Sequence, residues 1–142
     1  MRNIIELSAV RDMLAEGYTL VAFAGEALYT DKRHGVAPLL ALYDSGASLA
    51  GGVAADRVVG RAAAYLYCLL GVAEVYALVI SEMALEVLEA GGVRVRYDCL
   101  VPAIKNRTGD GFCPMESATR ALPPSALDEA LAVIRKTKAA LG

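Results

Sequence analysis

The densest group of chemically capable residues is the stretch NRTGDGFCPMES, from Asn106 to Ser117. Asn106 and Arg107 precede a turn with two glycines, Gly109 and Gly111, which let backbone N–H groups approach a ligand closely. Arg107 can offer two parallel donors to a phosphate or a carboxylate. These residue types predict one wall of a site for a small anionic ligand. The alternative is an ordinary turn with a solvated arginine.

Cys113 and Glu116 lie where this stretch enters a predicted helix. Pro114 suits the first helical position, so Cys113 becomes the N-cap and Glu116 can reach back to the N-cap backbone N–H. Both residues then have structural roles. Alternatively, the positive field of the helix start favours the Cys113 thiolate, and a nucleophile of this kind needs a base nearby. His34, in the loop TDKRHG, is the single histidine, and the sequence leaves open whether it reaches Cys113.

Further site candidates lie at two predicted strand-to-helix junctions. Asp56 is expected to cap a helix that runs to about Leu70, and Arg57 beside it could contact a ligand or form a salt bridge. Ser81 is expected to cap the next helix. Sites in α/β sheets usually lie at the carboxyl ends of strands. We therefore expect Asp56 and Arg57 to face the wall formed by Asn106 to Glu116, with Ser81 as the floor between them.

Alternating helices and strands have to position these residues. Glycine and proline divide the chain into a helix capped by Asn3, a hairpin that turns at Gly25-Glu26, the segment GVAPLLALYDSG, and the small-residue strand SLAGGVAAD. The length of GVAPLLALYDSG suits a short helix or an apolar strand, and we interpret it as a helix. The buried strand EVYALVI, the alternating edge strand VRVRYD and a helix capped by Ser125 follow. The pattern predicts one domain over residues 1–142, an α/β fold with three α/β/α layers and a mixed sheet of about five strands.

Composition excludes several partners. The net charge of −2 and the pI near 5.4 leave no basic stripe for nucleic acid. The longest central uncharged run, AAAYLYCLLGVA, is shorter than the roughly 20 residues of a membrane span, so no membrane partner is expected. Three scattered cysteines, with no secretory signal at the N-terminus, indicate a cytoplasmic protein.

Four segments resemble a known family: GVAPLLALYDSG, ADRVVGRAAAYL, VISEMALEVLEAGGVRVRYD and IKNRTGDGFCPME, which together span roughly residues 18 to 120. The chain is similar to a family of small, uncharacterised prokaryotic proteins described only as a domain of unknown function, with a cytidine-deaminase-like fold. The resemblance implies that fold for this chain. It also implies assembly through helices, which is common among deaminase-like folds.

The sequence itself also predicts a homodimer or a higher homo-oligomer. The apolar content of 56% is high for a monomer of this length. The predicted helix after Asp56 has apolar residues on more than one face, and two tyrosines add the amphipathic surface that is enriched at interfaces. These residues are Val58, Val59, Ala62, Ala63, Leu66 and Leu70, with Tyr65 and Tyr67.

The zinc ligands of true deaminases are not found at the matching positions. Those enzymes have H-x-E at one helix start and P-C-x-x-C at the next. Here the corresponding segments are DRVVGRAAA and SEMALE. We therefore expect no metal, no cofactor and no zinc-dependent deamination.

The sequence thus predicts a module that binds a nucleotide-like or other anionic small molecule in the crevice that deaminases use for nucleosides. One alternative is an enzyme without zinc that uses Cys113 as a nucleophile. A purely structural or interaction protein is the other.

Overall fold

The computed structural model describes residues 4–106, 108–109 and 111–141, with side chains from Leu7 onward. Five strands and six α-helices form the described part of the chain. In order they are α1 (Ile4–Met13, continued by a 3-10 turn at Leu14–Glu16), β1 (Leu20–Ala24), β2 (Ala27–Asp31), α2 (Ala37–Asp44), β3 (Val53–Val59), α3 (Arg61–Leu70), β4 (Glu74–Ser81), α4 (Glu82–Ala90), β5 (Arg94–Val101), α5 (Pro114–Thr119) and α6 (Leu127–Leu141).

The strands form one mixed sheet in the order β2-β1-β3-β4-β5. Strand β1 is antiparallel to β2 and β3, whereas β3, β4 and β5 are parallel. One apolar core lies between the sheet and α1, and a larger core lies between the opposite face and helices α2 to α6. The predicted α/β fold, with helices on both sides of a five-stranded sheet, is confirmed, and β5 is an edge strand as predicted.

Several local predictions are confirmed together with their physical causes. The hairpin turns at Gly25-Glu26, where Gly25 adopts a φ of 60° that favours glycine. The segment GVAPLLALYDSG forms α2. Ser81 caps α4, because its hydroxyl accepts a hydrogen bond of 3.0 Å from the backbone N–H of Ala84.

The start of α3 was predicted wrongly. Asp56 does not cap this helix: both Asp56 and Arg57 belong to β3, and α3 begins only at Arg61. Two β-branched residues, Val58 and Val59, continue the pairing with β4 and extend the strand. The chain leaves the sheet at Gly60, which is the extended N-cap of α3.

The helix surface expected to meet a partner subunit is internal. Residues 61–67 of α3 are buried, and helices α2, α4, α5 and α6 pack against it. The apolar residues of α3 therefore belong to the core of the chain and give no support to an interface there.

At the ends of the chain, α6 begins at Leu127, two residues beyond the predicted cap Ser125. The predicted cap Asn3 lies outside the described residues.

Candidate functional site

A cleft lies at the carboxyl end of β3, between the loop after β2 and the start of α5. Its inner cavity has a volume of about 240 Å³. The wall is mainly apolar and is formed by Val36, Val58, Ala62, Ala63, Ile104 and Met115. His34 and Cys113 also border this cavity. The cleft can therefore enclose a small apolar group beside an imidazole and a thiol.

An outer cavity of about 540 Å³ adjoins the inner one and shares His34 and Cys113 with it. Lys105, Asn106 and Lys138 add polar groups to its lining. The lining includes two lysines and a histidine but no acidic side chain. Within the described residues, neither lysine has an ion-pair partner. The outer cavity is thus a basic region on a chain whose net charge is −2.

Glu116 lines the inner cavity, and its carboxylate is hydrogen-bonded to the backbone of two other segments. This side chain is 1% exposed. One carboxylate oxygen accepts a hydrogen bond of 2.5 Å from the backbone N–H of Arg61, and the other accepts one of 2.9 Å from Ile104. The predicted bond to the N-cap Cys113 is not formed, because the Cys113 N–H donates to the carbonyl of Ile104 instead. The unpaired N–H groups at the start of α3 attract the carboxylate.

We expect Glu116→Ala to lower the free energy of unfolding by about 3 kcal/mol, because two backbone donors lose a charged acceptor. Glu116→Gln should recover part of this loss, since its amide oxygen can still accept one of the two bonds. Urea unfolding of both variants measures the effect. Equal stability of Glu116→Ala and the wild type would contradict this structural role.

Arg61 is the second buried ionic residue beside the cleft, with 2% exposure. Its guanidinium donates to the carbonyls of Thr119 (3.1 Å), Met83 (2.9 Å) and Leu122 (2.6 Å), and to the carboxylate of Glu86 (2.7 Å). Its donors are therefore directed into the fold, where they hold α3, α4 and α5 together. Neither Arg61 nor Glu116 is left free to bind a ligand.

Asp56 and Arg57 do not form the predicted wall of the cleft. Neither lines its inner or outer cavity, and their side chains point to opposite faces of the sheet. The Asp56 carboxylate accepts a hydrogen bond of 2.7 Å from the Tyr67 hydroxyl on α3. Arg57 donates to the carbonyls of Tyr18 (2.8 Å) and Leu14 (2.7 Å) on the α1 side. Burial raises the pKa of Asp56 to about 7, against the lowering effect of the Tyr67 hydrogen bond.

Asp56 and Arg57 both border a separate, smaller cavity of about 50 Å³. His34 lines this cavity and also the inner cavity of the cleft. Ser81 is completely buried and lines neither cavity of the cleft. The structure therefore does not bring the predicted opposite wall and floor together.

The predicted binding loop contributes only in part. Asn106 and Cys113 line the outer cavity. The side chain of Asn106 accepts a bond of 2.9 Å from the Gly109 N–H, and its backbone pairs with Gly111. The N–H of Gly109 is thus used inside the turn. Arg107 lies outside the described residues.

Sequence reasoning missed Lys105 and Lys138. Lys105 directly precedes the stretch from Asn106 to Ser117. Lys138 belongs to the last helix, and nothing in its local sequence indicates that α6 returns to the cleft. Among the described residues, no group of three or more His, Cys, Asp or Glu side chains could hold a metal ion, and no helix is long and apolar enough to cross a membrane.

An open mixed sheet with a cleft at the carboxyl end of its middle strand defines the class of protein: an α/β domain with a small-molecule-sized cleft. Over residues 8–136 the chain matches the model of the family described as TM1506: Domain of unknown function (DUF1893), and it belongs to this family. This family description names no activity.

Among solved structures, the chain is similar to a DUF1893 family protein (TM1506) from Thermotoga maritima, with a TM-score of 0.85. The two are 24% identical, and the alignment covers 96% of this chain and 92% of that chain. At this identity the likeness shows the fold alone. No curated protein matches the sequence.

Proposed function

We propose that the cleft binds a nucleotide-like or other anionic small molecule. The observation that carries the proposal is the pairing of an apolar inner cavity with an outer cavity whose charged side chains are all basic. Ligand sites are typically concave and mostly apolar, with a few polar groups that fix the orientation of the ligand. The cleft has this composition.

The two cavities suit different parts of such a ligand. The inner cavity of about 240 Å³ can take a planar or apolar group between Val36, Ala62 and Met115. Lys105 and Lys138 can bind a phosphate or carboxylate in the outer cavity, because an ammonium is a point charge that needs no fixed approach. Since neither lysine has an ion-pair partner in the described structure, binding an anion there breaks no existing ion pair.

The proposal extends to the fold relationship and the cellular location. The order of helices and strands and the position of the cleft support a cytidine-deaminase-like fold that lacks the zinc ligands of the deaminases. The three cysteines are free, which fits a reducing cytoplasm.

Thermal unfolding with four nucleoside monophosphates (AMP, CMP, GMP and UMP) tests the binding proposal. We expect at least one of them to raise the melting temperature more than the matching nucleoside or inorganic phosphate does. Lys105→Glu and Lys138→Glu should each weaken binding by roughly tenfold or more, since a hydrogen bond to a charged group contributes about 1.5–3 kcal/mol.

Lys136→Glu is the matched control, because Lys136 is exposed on the same helix and lines neither cavity. It should leave binding unchanged. If no monophosphate stabilises the wild type, or if Lys136→Glu weakens binding as much as Lys138→Glu does, the proposal fails.

A second candidate function is nucleophilic catalysis by Cys113. The observation in its favour is that Cys113 and His34 border the same two cavities. In a Cys99→Ser background, iodoacetamide should then label Cys113 quickly and with a pH dependence that His34→Ala changes. Cys68 should react slowly, because burial raises the pKa of its thiol. Labelling of Cys113 that His34→Ala leaves unaltered would remove this candidate.

A further inference from the structure

Strand β5 is a long edge strand that lacks most of the usual protection. Within the described residues it pairs only with β4, and six of its eight residues are exposed. Its sequence RVRYDCLV has no proline, and the register with β4 keeps one constant offset from Glu74↔Arg94 to Ser81↔Val101. Natural edge strands are commonly short, bulged, covered, charged or interrupted by proline. Of these features β5 has only charged side chains, Arg94, Arg96 and Asp98, so it can accept a strand whose charges are complementary to its own.

The charges on β5 are complementary to those of β5 in a second copy of the chain, when the two strands run antiparallel. In a symmetric pair centred on Tyr97, Arg96 lies directly opposite Asp98 of the partner subunit, and this occurs twice. Side chains directly opposite each other lie about 4.5–5.5 Å apart between Cβ atoms, which suits an ion pair. Centring the pair on Arg96 or on Asp98 would instead place like charges opposite each other.

The remaining residues of β5 fit the same register. Arg96 has no ion-pair partner within the described part of the chain. Asp98 already accepts a hydrogen bond from the Tyr76 hydroxyl, which holds its carboxylate in place on the sheet. On the other face, this register would place Tyr97 (41% exposed) opposite Tyr97 of the partner subunit and Val95 opposite Cys99 of the partner subunit. At the ends of the pair, Arg94, which already pairs with Glu74, would lie opposite Leu100 of the partner subunit. The central residues on both faces are thus complementary.

We propose that two copies of this chain pair through their β5 strands, antiparallel about Tyr97, and form one continuous ten-stranded sheet. This interface differs from the one predicted at α3, which is covered within the chain. The other edge strand, β2, is a poorer candidate. It has five residues, and its terminal Asp31 already accepts three side-chain hydrogen bonds from Arg33, of 2.7, 3.0 and 3.2 Å.

A charge exchange on the full chain tests the register. Light scattering at micromolar concentration should show a dimer for the wild type. Arg96→Asp places two acidic residues opposite each other, and Asp98→Arg places two basic ones. Each variant alone should therefore be monomeric. An equimolar mixture of the two, and the double variant Arg96→Asp/Asp98→Arg, should both restore the dimer.

Lys136→Glu makes a comparable charge reversal away from β5 and should leave the dimer intact. Circular dichroism of each variant confirms that the fold is retained. A monomeric wild type would overturn the proposal. It would equally fail if the two single variants stay dimeric, or if neither the mixture nor the double variant restores a dimer.

A cross-link gives an independent result. In a Cys99→Ser background, Tyr97→Cys places two thiols directly opposite each other, within the Cα separation of about 4.4–6.8 Å that a disulfide requires. Mild oxidation should convert most of the protein into a covalent dimer. Thr30→Cys, an exposed position on β2, is the control and should cross-link much less. Equal cross-linking at both positions would reject β5 as the interface.

Discussion

Replacing Arg61 with alanine is expected to lower the free energy of unfolding by roughly 3–5 kcal/mol, the usual cost of removing one partner from a buried charged contact. The guanidinium satisfies three backbone carbonyls from α4, α5 and the segment that leads to α6. Alanine leaves those oxygens without their donor in a place where water has little access. It also leaves a void beneath Tyr65, whose ring lies 5.5 Å from the guanidinium.

Two further variants separate the guanidinium geometry from the charge. Arg61→Lys keeps the charge, but one ammonium cannot reach carbonyls that lie in different directions, so most of the loss should remain. Glu86→Ala removes the one ionic partner of Arg61 among the described residues, whose side chain is 61% exposed. We expect it to cost less than about 1 kcal/mol. Urea unfolding measures all three, and similar losses for Arg61→Ala and Glu86→Ala would show that the carbonyl bonds contribute little.

Local signals were sufficient for most of the fold. Hydrophobic periodicity and chain punctuation identified the hairpin, α2, and β4 followed by its capped helix, because each of these depends on neighbours within a few residues. The alternation of VRVRYD indicated an edge strand, and β5 is one. Alternating elements of this kind leave few possible layer arrangements.

The sequence-based prediction of the start of α3 was wrong because two local signals competed there. Asp56 is a good N-cap residue, and Ala62, Ala63 and Ala64 follow it after five residues, so these signals favour a helix that starts at Asp56. The pair Val58-Val59 favours a strand, and Gly60 provides the break. Cross-strand pairing with β4 decided the outcome in favour of the strand. Because the cap was assigned from the residue type alone, Asp56 was predicted at the start of α3, whereas it lies within β3.

The candidate site was only partly predictable, because its important contacts join distant segments. Glu116 bonds the backbone of Arg61, 55 residues away in the sequence. Lys138 reaches the cleft from the last helix. No local pattern contains such a pairing. Glu116 was therefore predicted to bond the N-cap of its own helix, α5. Asn106 and Cys113 of the cleft were predicted because both belong to the stretch from Asn106 to Ser117.

Between about pH 4 and pH 7, the stability of the wild type is expected to fall as the pH rises, by at most about 4 kcal/mol. Burial raises the pKa of Asp56 from 3.8 to about 7. Each unit of pKa difference corresponds to about 1.4 kcal/mol. Below pH 4 the carboxyl is protonated in both states, so its full contribution to stability is present. As the pH rises towards 7 the unfolded chain releases the proton while the folded chain keeps it, and the contribution is lost.

Asp56→Asn tests this because the amide keeps a hydrogen-bonding group next to the Tyr67 hydroxyl and cannot ionise. We expect its stability to match that of the wild type near pH 4 and to exceed it at pH 8. Asp31→Asn is the control: the hydrogen bond from Arg33 lowers the pKa of Asp31, so its stabilising effect is constant above about pH 4, and this change should leave the slope of stability between pH 4 and pH 8 as in the wild type. Urea unfolding at intervals between pH 4 and pH 8 gives the comparison. If the wild type and Asp56→Asn remain parallel over that range, Asp56 is ionised in the folded protein throughout and its burial has no such effect.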